Sequence, residues 1–261
     1  MLGWWMGQAL LPAWAAAAPL ARWELIAEHP HDRSAFTQGL TIDGDRLIEG
    51  TGLYGQSRLL VRSRKTGQLL FTRSLPEDQF GEGVAVVGER IIQLTWMNGI
   101  AHVFDRELRP LSRFRLSSEG WGLTFDGTRL IRSDGSSKLR FHDARNYTEI
   151  GTLDVTDNGR PIANLNELEF IDGQIYANVW LSDRIAIIDP ASGHVRAWLD
   201  LTALSGRFKQ LPGWDAREAV LNGIARIPEN GHLLVTGKLW PLMFELAVDK
   251  TSISDRVAGH H

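Results

Sequence analysis

The sequence predicts an all-β fold, and three observations lead to that prediction. The chain of 261 residues contains 26 glycines, and frequent glycine is typical of a protein with many tight turns. Long helical patterns are absent, and short apolar runs bounded by turn residues recur along the chain instead. With 43% hydrophobic residues, the chain can bury a sizeable core, and closed all-β architectures often reach this length as one domain.

Five stretches share an apolar strand, a tight turn and a second strand. They begin at Gly39 (GLTIDGDRLIEGTG), Gly83 (GVAVVGERIIQLTW), Gly122 (GLTFDGTRLIRSDG), Leu168 (LEFIDGQIYANVW) and Gly223 (GIARIPENGHLLVTGKLW). Successive starts lie 39 to 55 residues apart, and the last interval is the longest. We interpret the extra length as an insertion, LTALSGRFKQLPGWDARE, which has little strand pattern.

Two further apolar runs follow each of the first four hairpins, as in RLLVRSRKTGQLLFTRSL. Four short strands in a repeat of about 40–45 residues are typical of a β-propeller blade. The fifth repeat ends one strand short, after LMFELAV, and RWELIAEH near the N-terminus can supply that strand. The sequence therefore predicts a five-bladed β-propeller of four-stranded antiparallel blades, with the ring closed by an N-terminal strand.

The predicted propeller is a single domain of residues 22–250, between a leader of residues 1–21 and a C-terminal tail of residues 251–261. The leader is apolar and ends in AWAAAAPLA, whose small residues suit signal-peptide cleavage, although no basic region precedes it. A disordered or core-packed segment is the alternative. The leader is too short and too broken by prolines for a transmembrane helix. We therefore expect an exported protein, periplasmic or secreted, without stable membrane insertion.

Composition and motifs exclude several classes of function. The formal charge of -3 gives no hint of a nucleic-acid partner, and the absence of cysteine excludes disulfides, thiolate metal sites and cysteine nucleophiles. No metalloprotease, EF-hand, nucleotide-binding or serine-hydrolase motif is present. His29 and His31 form an H-x-H pair without a third ligand nearby, so we expect surface positions and no metal site.

The blade geometry brings unusual residues to one mouth of the central channel. In an antiparallel blade the first strand begins at the end where the second finishes, so residues flanking these points should converge. Those before or at the first strand are Phe36, Gln38, Phe80, Glu82, Trp121, Asn166 and Asn222; those at the end of the second are Trp96, Asp134, Trp180 and Lys238. An aromatic wall that holds an acid, amides and a lysine indicates a pocket for a small molecule or a peptide end.

Each of these residues also has an ordinary structural interpretation. The tryptophans could pack between blades, and Lys238 could be a surface lysine. Glu82, in FGEG, could be a solvated loop acid, or a carboxyl desolvated by Phe80 and Trp96 whose raised pKa suits a proton shuttle near neutral pH. A charged Lys238 close by would lower that pKa, and the residues alone do not decide between these effects.

Eight motifs in order carry a family resemblance: FTQGL, FGEG, LTW, EGWGLT, LNELE, NVW, LNGIA and TGKLWP. Over roughly residues 23–247 the chain resembles the plant and bacterial glutaminyl-peptide cyclotransferases, also called glutamine cyclotransferases or glutaminyl cyclases. The resemblance implies a five-bladed propeller that converts the N-terminal glutamine of peptides and proteins to pyroglutamate and releases ammonia. It implies an acyltransferase of the aminoacyltransferase type that uses neither catalytic zinc nor another cofactor. Whether the central channel holds a structural ion is left open by the sequence.

The resemblance also implies roles for individual residues. Glu82 would be the catalytic acid/base, with Asn166 and Lys238 beside it. The residues that would line the substrate pocket are Phe36, Gln38, Phe80, Trp96, Trp121 and Trp180. A closed propeller needs no partner to cover its sheet edges, so we expect a monomer. Two rival functions are a non-catalytic propeller that binds peptides or glycans in an aromatic channel mouth, and a metal-dependent propeller lactonase.

Overall fold

A computed structural model describes residues 17–253 and confirms the predicted fold class. Five four-stranded antiparallel sheets form the blades of a ring, and each sheet runs in simple order from an inner strand to an outer one. The strand bounds, in chain order, follow the blades: β1 (Trp23–Pro30); blade 1, β2 (Thr37–Asp43), β3 (Arg46–Thr51), β4 (Arg58–Ser63) and β5 (Leu69–Ser74); blade 2, β6 (Gly81–Val87), β7 (Arg90–Thr95), β8 (Ile100–Asp105) and β9 (Pro110–Arg115).

The remaining blades follow the same scheme. Their strands are, in blade 3, β10 (Leu123–Phe125), β11 (Arg129–Arg132), β12 (Lys138–Asp143) and β13 (Glu149–Asp154); in a small hairpin, β14 (Thr156–Asp157) and β15 (Arg160–Pro161); in blade 4, β16 (Leu165–Ile171), β17 (Gln174–Val179), β18 (Arg184–Ile188) and β19 (Val195–Asp200); in blade 5, β20 (Leu221–Arg226), β21 (Leu233–Gly237) and β22 (Leu242–Val248).

The N-terminal strand closes the ring, as predicted. Strand β1 pairs antiparallel with β22, with Trp23 opposite Val248 and Pro30 opposite Leu242, and becomes the outer strand of blade 5. The chain then crosses to blade 1, and Leu239 N–H donates to the Ala35 carbonyl at 2.8 Å across the junction. The two ends of the ring are thus joined by a full strand ladder.

The five inner strands approach each other closely because glycine occupies equivalent positions in four of them. A Cβ atom on Gly83 would lie 2.5 Å from the Trp121 carbonyl oxygen of the next blade, which no real side chain tolerates. In blade 4 the equivalent residue is Glu167, which is fully buried in the space that the glycines leave. Its carboxyl oxygens accept backbone N–H bonds from Leu40 at 3.2 Å and Ile224 at 2.9 Å. Glu167 therefore ties blade 4 to blades 1 and 5.

A buried ion pair lies where the ring closes, and here our expectation for one histidine was wrong. His29 is half exposed, but the side chain of His31 is only 2% exposed. Its Nε2 lies 3.0 Å from Glu49 Oε1, and its Nδ1 lies 2.7 Å from the Trp240 carbonyl oxygen. Thr37 Oγ1 donates to the same Glu49 oxygen at 2.7 Å. The histidine thus links blade 5 to blade 1 instead of facing solvent.

The expected insertion is the helical part of the structure. It contains the short helix α1 (Thr202–Ser205) and a 3₁₀ turn (Gly206–Phe208), and Phe208 packs on Trp240 with ring centroids 5.1 Å apart. A second 3₁₀ turn, Lys250–Ser252, follows β22. Between residues 17 and 253 no helix has the length and apolarity needed to cross a membrane.

Most of the predicted leader and tail, residues 1–16 and 254–261, lies outside the described residues. The described end of the leader packs on blade 4, where Leu20 bridges to Trp198 and Ala21 is buried. The leader and tail boundaries stay predictions.

Candidate active site

A cavity of about 280 Å³ opens at one mouth of the channel, and all nine predicted site residues line it. They are Phe36, Gln38, Phe80, Glu82, Trp96, Trp121, Asn166, Trp180 and Lys238, joined by Leu53, Arg217 and Glu218. The nine come from all five blades. The propeller register therefore brings together side chains that lie up to about 200 residues apart in the sequence.

Backbone pairing explains why residues that end a second strand meet those that precede a first strand. Trp96 N–H donates to the Phe80 carbonyl at 3.0 Å, and Lys238 N–H donates to the Val220 carbonyl at 2.9 Å. Trp180 makes the corresponding bond to Asn164 at 2.9 Å. The same connection recurs in three blades, so the aromatic and lysine side chains start from equivalent points around the mouth.

The polar site residues sit on β-bulges at the start of the inner strands. In blade 2 the pairing passes from Gly81–Thr95 to Val84–Gln93, so Glu82 and its neighbour share one partner residue. Equivalent irregularities occur at Gln38, Asn166 and Asn222. A bulge interrupts the alternation of a strand and redirects a side chain, and bulges are frequent next to active sites. In three of these blades the bulge residue lines the cavity.

The aromatic residues form a connected wall. Phe80 lies between Phe36 and Trp96, with centroid distances of 6.0 and 5.6 Å in edge-to-face geometry. Trp121 and Trp180, which also line the cavity, meet edge to face at 5.7 Å. Such ring pairs hold each other in a defined orientation. The wall is therefore a preformed apolar enclosure around the polar groups.

Glu82 is a desolvated carboxyl, 4% exposed. Its Oε1 accepts a hydrogen bond from Gln38 Nε2 at 3.1 Å, and its Oε2 accepts none from the described residues. Burial raises the pKa of Glu82 well above 4.5; the positive charge of Lys238 opposes this rise, and the negative charge of Glu119 adds to it. The solvated loop acid that the sequence allowed is not what the structure contains.

Lys238 is equally enclosed, at 5% exposure, with Nζ 4.7 Å from the centroid of the Phe36 ring. Burial lowers the pKa of Lys238, against the opposing charges of Glu82 and Glu218. No described carboxylate lies within 4.0 Å of Nζ as an ion pair. For both Glu82 and Lys238, the effect of burial on the pKa is larger than the effect of their mutual attraction. Burial therefore favours the neutral form of each group.

Three amide side chains, those of Gln38, Asn222 and Asn166, belong to the surroundings of the acid. Asn222 Nδ2 donates to the Thr37 carbonyl at 2.9 Å and to Gln38 Oε1 at 3.3 Å, which turns the Gln38 amide so that its Nε2 faces Glu82. Asn166 is buried, and its Oδ1 has no hydrogen-bond partner among the described residues. Ser133 Oγ fixes the Asn166 backbone by donating to its carbonyl at 2.6 Å. Asn166 is therefore a cavity-lining amide whose oxygen is buried and has no hydrogen-bond partner among the described residues.

Three lining residues were not predicted. Arg217 and Glu218 are exposed residues at the end of the insertion, which has no repeat register to place it. Leu53 has φ of 81°, and Leu181 and Leu239, at the same end of blades 4 and 5, have φ of 63° and 61°. Bulky residues rarely adopt this left-handed conformation, because their side chains strain the backbone there and glycine does not. Such strained residues are concentrated at functional sites.

Asp134, placed near the mouth by register, does not line the cavity. Its carboxyl bonds instead to Ser118, Ser136 and Arg140. Across residues 17–253 no group of three or more histidine, aspartate or glutamate side chains is arranged to hold a metal ion. The cavity itself contains two carboxyls, Glu82 and Glu218, and no histidine.

A family profile and three known proteins are similar to this chain. The profile of the family described as glutamine cyclotransferase matches residues 4–248. A glutaminyl-peptide cyclotransferase from Arabidopsis thaliana is 40% identical over 238 residues, which span 88% of this chain and 72% of the relative. The crystal structure of Myxococcus xanthus glutaminyl cyclase superimposes with a TM-score of 0.82 at 37% identity, covering 89% of this chain and 98% of that one. The WD40 β-propeller domain of Doa1, at 12% identity and a TM-score of 0.50 over 82% of this chain and 64% of its own, shares the fold alone.

Proposed function

This chain belongs to the glutamine cyclotransferase family, and on that premise we propose that Glu82 moves the proton that its glutaminyl cyclase reaction requires. The substrate in this proposal is a peptide or protein with N-terminal glutamine, and the products are the pyroglutamyl peptide and ammonia. The observation that supports it most is the Glu82 carboxyl itself, which is buried in an aromatic cavity and has one oxygen without a partner among the described residues.

The reaction balances with a single carboxyl. The α-amine nitrogen attacks the side-chain amide carbon and forms the ring C–N bond. Glu82 Oε2 takes the surplus proton from the attacking nitrogen and returns it to the amide nitrogen. The old C–N bond then breaks, ammonia leaves, and Glu82 ends in its initial state. A carboxyl whose pKa burial has raised is a stronger base than an exposed one and is matched to this task near neutral pH.

Neighbouring polar groups have separate roles in this proposal. Asn166, which lines the cavity, forms a hydrogen bond with the substrate through its side-chain amide and holds it in place. Lys238 faces the oxygen of the substrate amide carbonyl and stabilises the negative charge that develops there. Gln38 holds the Glu82 carboxyl by its 3.1 Å bond. In this proposal Glu82, Asn166 and Lys238 act on three different substrate atoms.

The aromatic wall supplies orientation. A free glutaminyl residue has several rotatable bonds, and ring closure needs its two ends in contact. The edge-to-face pairs of Phe36 with Phe80 and of Trp121 with Trp180 line a cavity of about 280 Å³. Confinement in that space restricts the substrate to folded conformers, and correct orientation of reacting groups can supply several kcal/mol of rate enhancement, up to about 7–11. This explains why no covalent nucleophile is needed.

We propose that the reaction uses neither a metal nor an organic cofactor, because the cavity lacks a donor set suited to holding a metal ion. The enzyme is then an aminoacyltransferase-type acyltransferase that acts as a monomer. The Ala-rich leader supports an exported enzyme, periplasmic or secreted, for which export of a tagged full-length chain is the direct test.

The proposal is tested by incubating the protein with a peptide that begins in glutamine, with and without chelator, and measuring ammonia. We expect release in both cases and a loss of about 10²–10⁴-fold in Glu82→Gln, the usual worth of a general acid/base. Glu77→Gln, which changes an exposed glutamate near Phe80, is the matched control and should retain activity. Melting temperatures establish that both variants fold.

The outcomes separate the rival functions. Ammonia release that the chelator abolishes would point to a metal-dependent enzyme. Binding of the peptide without release above the uncatalysed rate would indicate a peptide-binding propeller. Full activity in Glu82→Gln would remove Glu82 from the acid/base role while leaving the activity itself established.

A further inference from the structure

We propose that Glu119 is a positioning residue of this site, which holds Trp96 and Trp121 in the cavity wall through one carboxylate oxygen. The inference rests on the proposed function for its kinetic consequences, but its geometry is independent of that function. Glu119 itself does not line the cavity. It acts through the two tryptophans that do.

The two indole N–H groups converge on a single atom. Trp96 Nε1 donates to Glu119 Oε2 at 2.7 Å, and Trp121 Nε1 donates to the same oxygen at 2.9 Å. Trp96 follows the second strand of blade 2, and Trp121 precedes the first strand of blade 3. Hydrogen bonds to an ionised acceptor are stronger than neutral ones. One charged group therefore fixes the wall across the boundary between two blades.

The loop that carries Glu119 is itself anchored. Gly120 N–H donates to the Trp96 carbonyl at 3.2 Å, and Trp121 N–H donates to the Ser133 carbonyl at 3.1 Å. The fully buried Arg132 donates from its guanidinium to the Glu119 main-chain oxygen. The carboxylate thus projects from a backbone held by both neighbouring blades, which is the requirement for a group that positions others.

The Trp121 ring transmits this constraint further. It meets Trp180 of blade 4 edge to face at 5.7 Å, and Trp96 meets Phe80 at 5.6 Å. Rotation of either indole would break a ring contact as well as a hydrogen bond. Loss of Glu119 should therefore loosen both sides of the wall at once, and with them the conformer in which the substrate is held.

Glu119 has a second influence, through its charge. Burial is the main cause of the raised pKa of Glu82, and the negative charge of Glu119 adds to the rise while Lys238 opposes it. Glu218 also acts on this group of charges, through Lys238. Removal of the Glu119 charge should lower the pKa of Glu82. The limb of the pH–rate profile that Glu82 controls should then move to lower pH.

The experiment compares Glu119→Gln with Glu107→Gln as a matched control. Glutamine keeps an acceptor oxygen and removes the charge. Glu107 is an exposed glutamate of blade 2 that pairs with Arg109 at 3.2 Å and does not line the cavity. Indole N–H resonances of Trp96 and Trp121, assigned with Trp96→Phe and Trp121→Phe, are recorded by NMR. The kcat/KM for a peptide beginning in glutamine is measured across pH.

We expect both assigned resonances to move in Glu119→Gln and to stay in place in Glu107→Gln. We expect kcat/KM to fall by about 10- to 100-fold, the cost of a misplaced site, and the Glu82 limb to shift to lower pH. In a Trp96→Phe, Trp121→Phe background, Glu119→Gln should change the plateau value of kcat/KM little, because its partners are gone, whereas the shift of the Glu82 limb to lower pH should remain.

Unmoved indole resonances would overturn the proposal, as would a Glu119→Gln enzyme with unchanged kcat/KM and pH profile. If Glu119→Gln does not fold, Trp121→Phe, which deletes one of the two donors, is expected to shift the remaining indole resonance and to lower kcat/KM. A wild-type protein that releases no ammonia would refute the proposed reaction, whereas the NMR comparison would still decide the position of the tryptophans.

Discussion

Replacement of Glu49 by glutamine should strongly destabilise the closed ring. Glu49 and His31 are each no more than 3% exposed in their side chains and lie 3.0 Å apart, between blade 1 and the last blade. Burial alone disfavours the charged imidazole, but the hydrogen bond and charge of Glu49 outweigh it and raise the pKa of His31 above 6.5. In the same way, burial would raise the pKa of Glu49, yet His31 and Thr37 hold it below 4.5.

The expected size of the effect follows from the burial. Removing one partner of a buried ion pair costs about 3–5 kcal/mol, because the other charge loses its compensation. For a domain of this length each kcal/mol lowers the melting temperature by about 2–4 °C, so Glu49→Gln should melt about 6–20 °C below the wild type. Glu28→Gln is the control, since Glu28 pairs with Arg207 on the exposed side of the closing strand and should change the melting temperature little.

The effect should also depend on pH in a defined direction. The His31 contribution is fully present below 6.5 and is lost as pH rises through its raised pKa in the folded protein. The Glu49 contribution is present above 4.5 and is lost as pH falls through its lowered pKa. Thermal unfolding followed by circular dichroism should therefore show the largest difference in melting temperature between the wild type and Glu49→Gln at pH values between 4.5 and 6.5. This difference should be smaller at alkaline pH. Equal melting temperatures, or a gap that does not change with pH, would refute this reasoning.

Three further predictions concern the cavity and its surroundings. Glu82→Gln should leave the melting temperature unchanged at low pH and raise it above that of the wild type as pH increases past 4.5, because the ionised buried carboxyl destabilises the fold; a constant difference across pH would contradict this. Gly83→Ala should cost at least about 1–3 kcal/mol and lower turnover, since its methyl group would press on the Trp121 carbonyl; an unchanged melting temperature would show that the blades can separate. Leu181, 57% exposed with φ of 63°, should tolerate glycine without loss of melting temperature but not the β-branched valine, and the reverse order would argue against strain there.

The overall fold could be predicted because it repeats. The sequence of each blade shows the same strand–turn–strand pattern. The fifth repeat lacks one strand, and the N-terminal segment is the one part of the predicted domain left to supply it. The site followed from the same register, since the end of one strand and the start of another must meet in an antiparallel blade. Glu82 and Lys238 were thus assigned to one cavity before any contact was known, although they lie on different blades.

The features that the sequence did not predict have no equivalent in the repeat pattern of the blades. The bulges that aim Gln38 and Asn166 are shifts in pairing, which leave no mark in a hydrophobic pattern. Glu119 stands two residues before Trp121, but its other partner, Trp96, belongs to the preceding blade. His31 was misjudged for a similar reason: its partner Glu49 becomes a neighbour only when the ring closes.

Closure of the ring has a consequence for how the enzyme is made. Phe36 is among the first folded residues to leave the ribosome, whereas Lys238, 4.7 Å from its ring, is among the last. A nascent chain emerging at about 5–20 residues per second holds four blades with an unfinished cavity until the final strands arrive. Because β22 pairs with β1 to close the ring, we expect activity only after this pairing has formed, and we expect a chain truncated before β22 to be inactive.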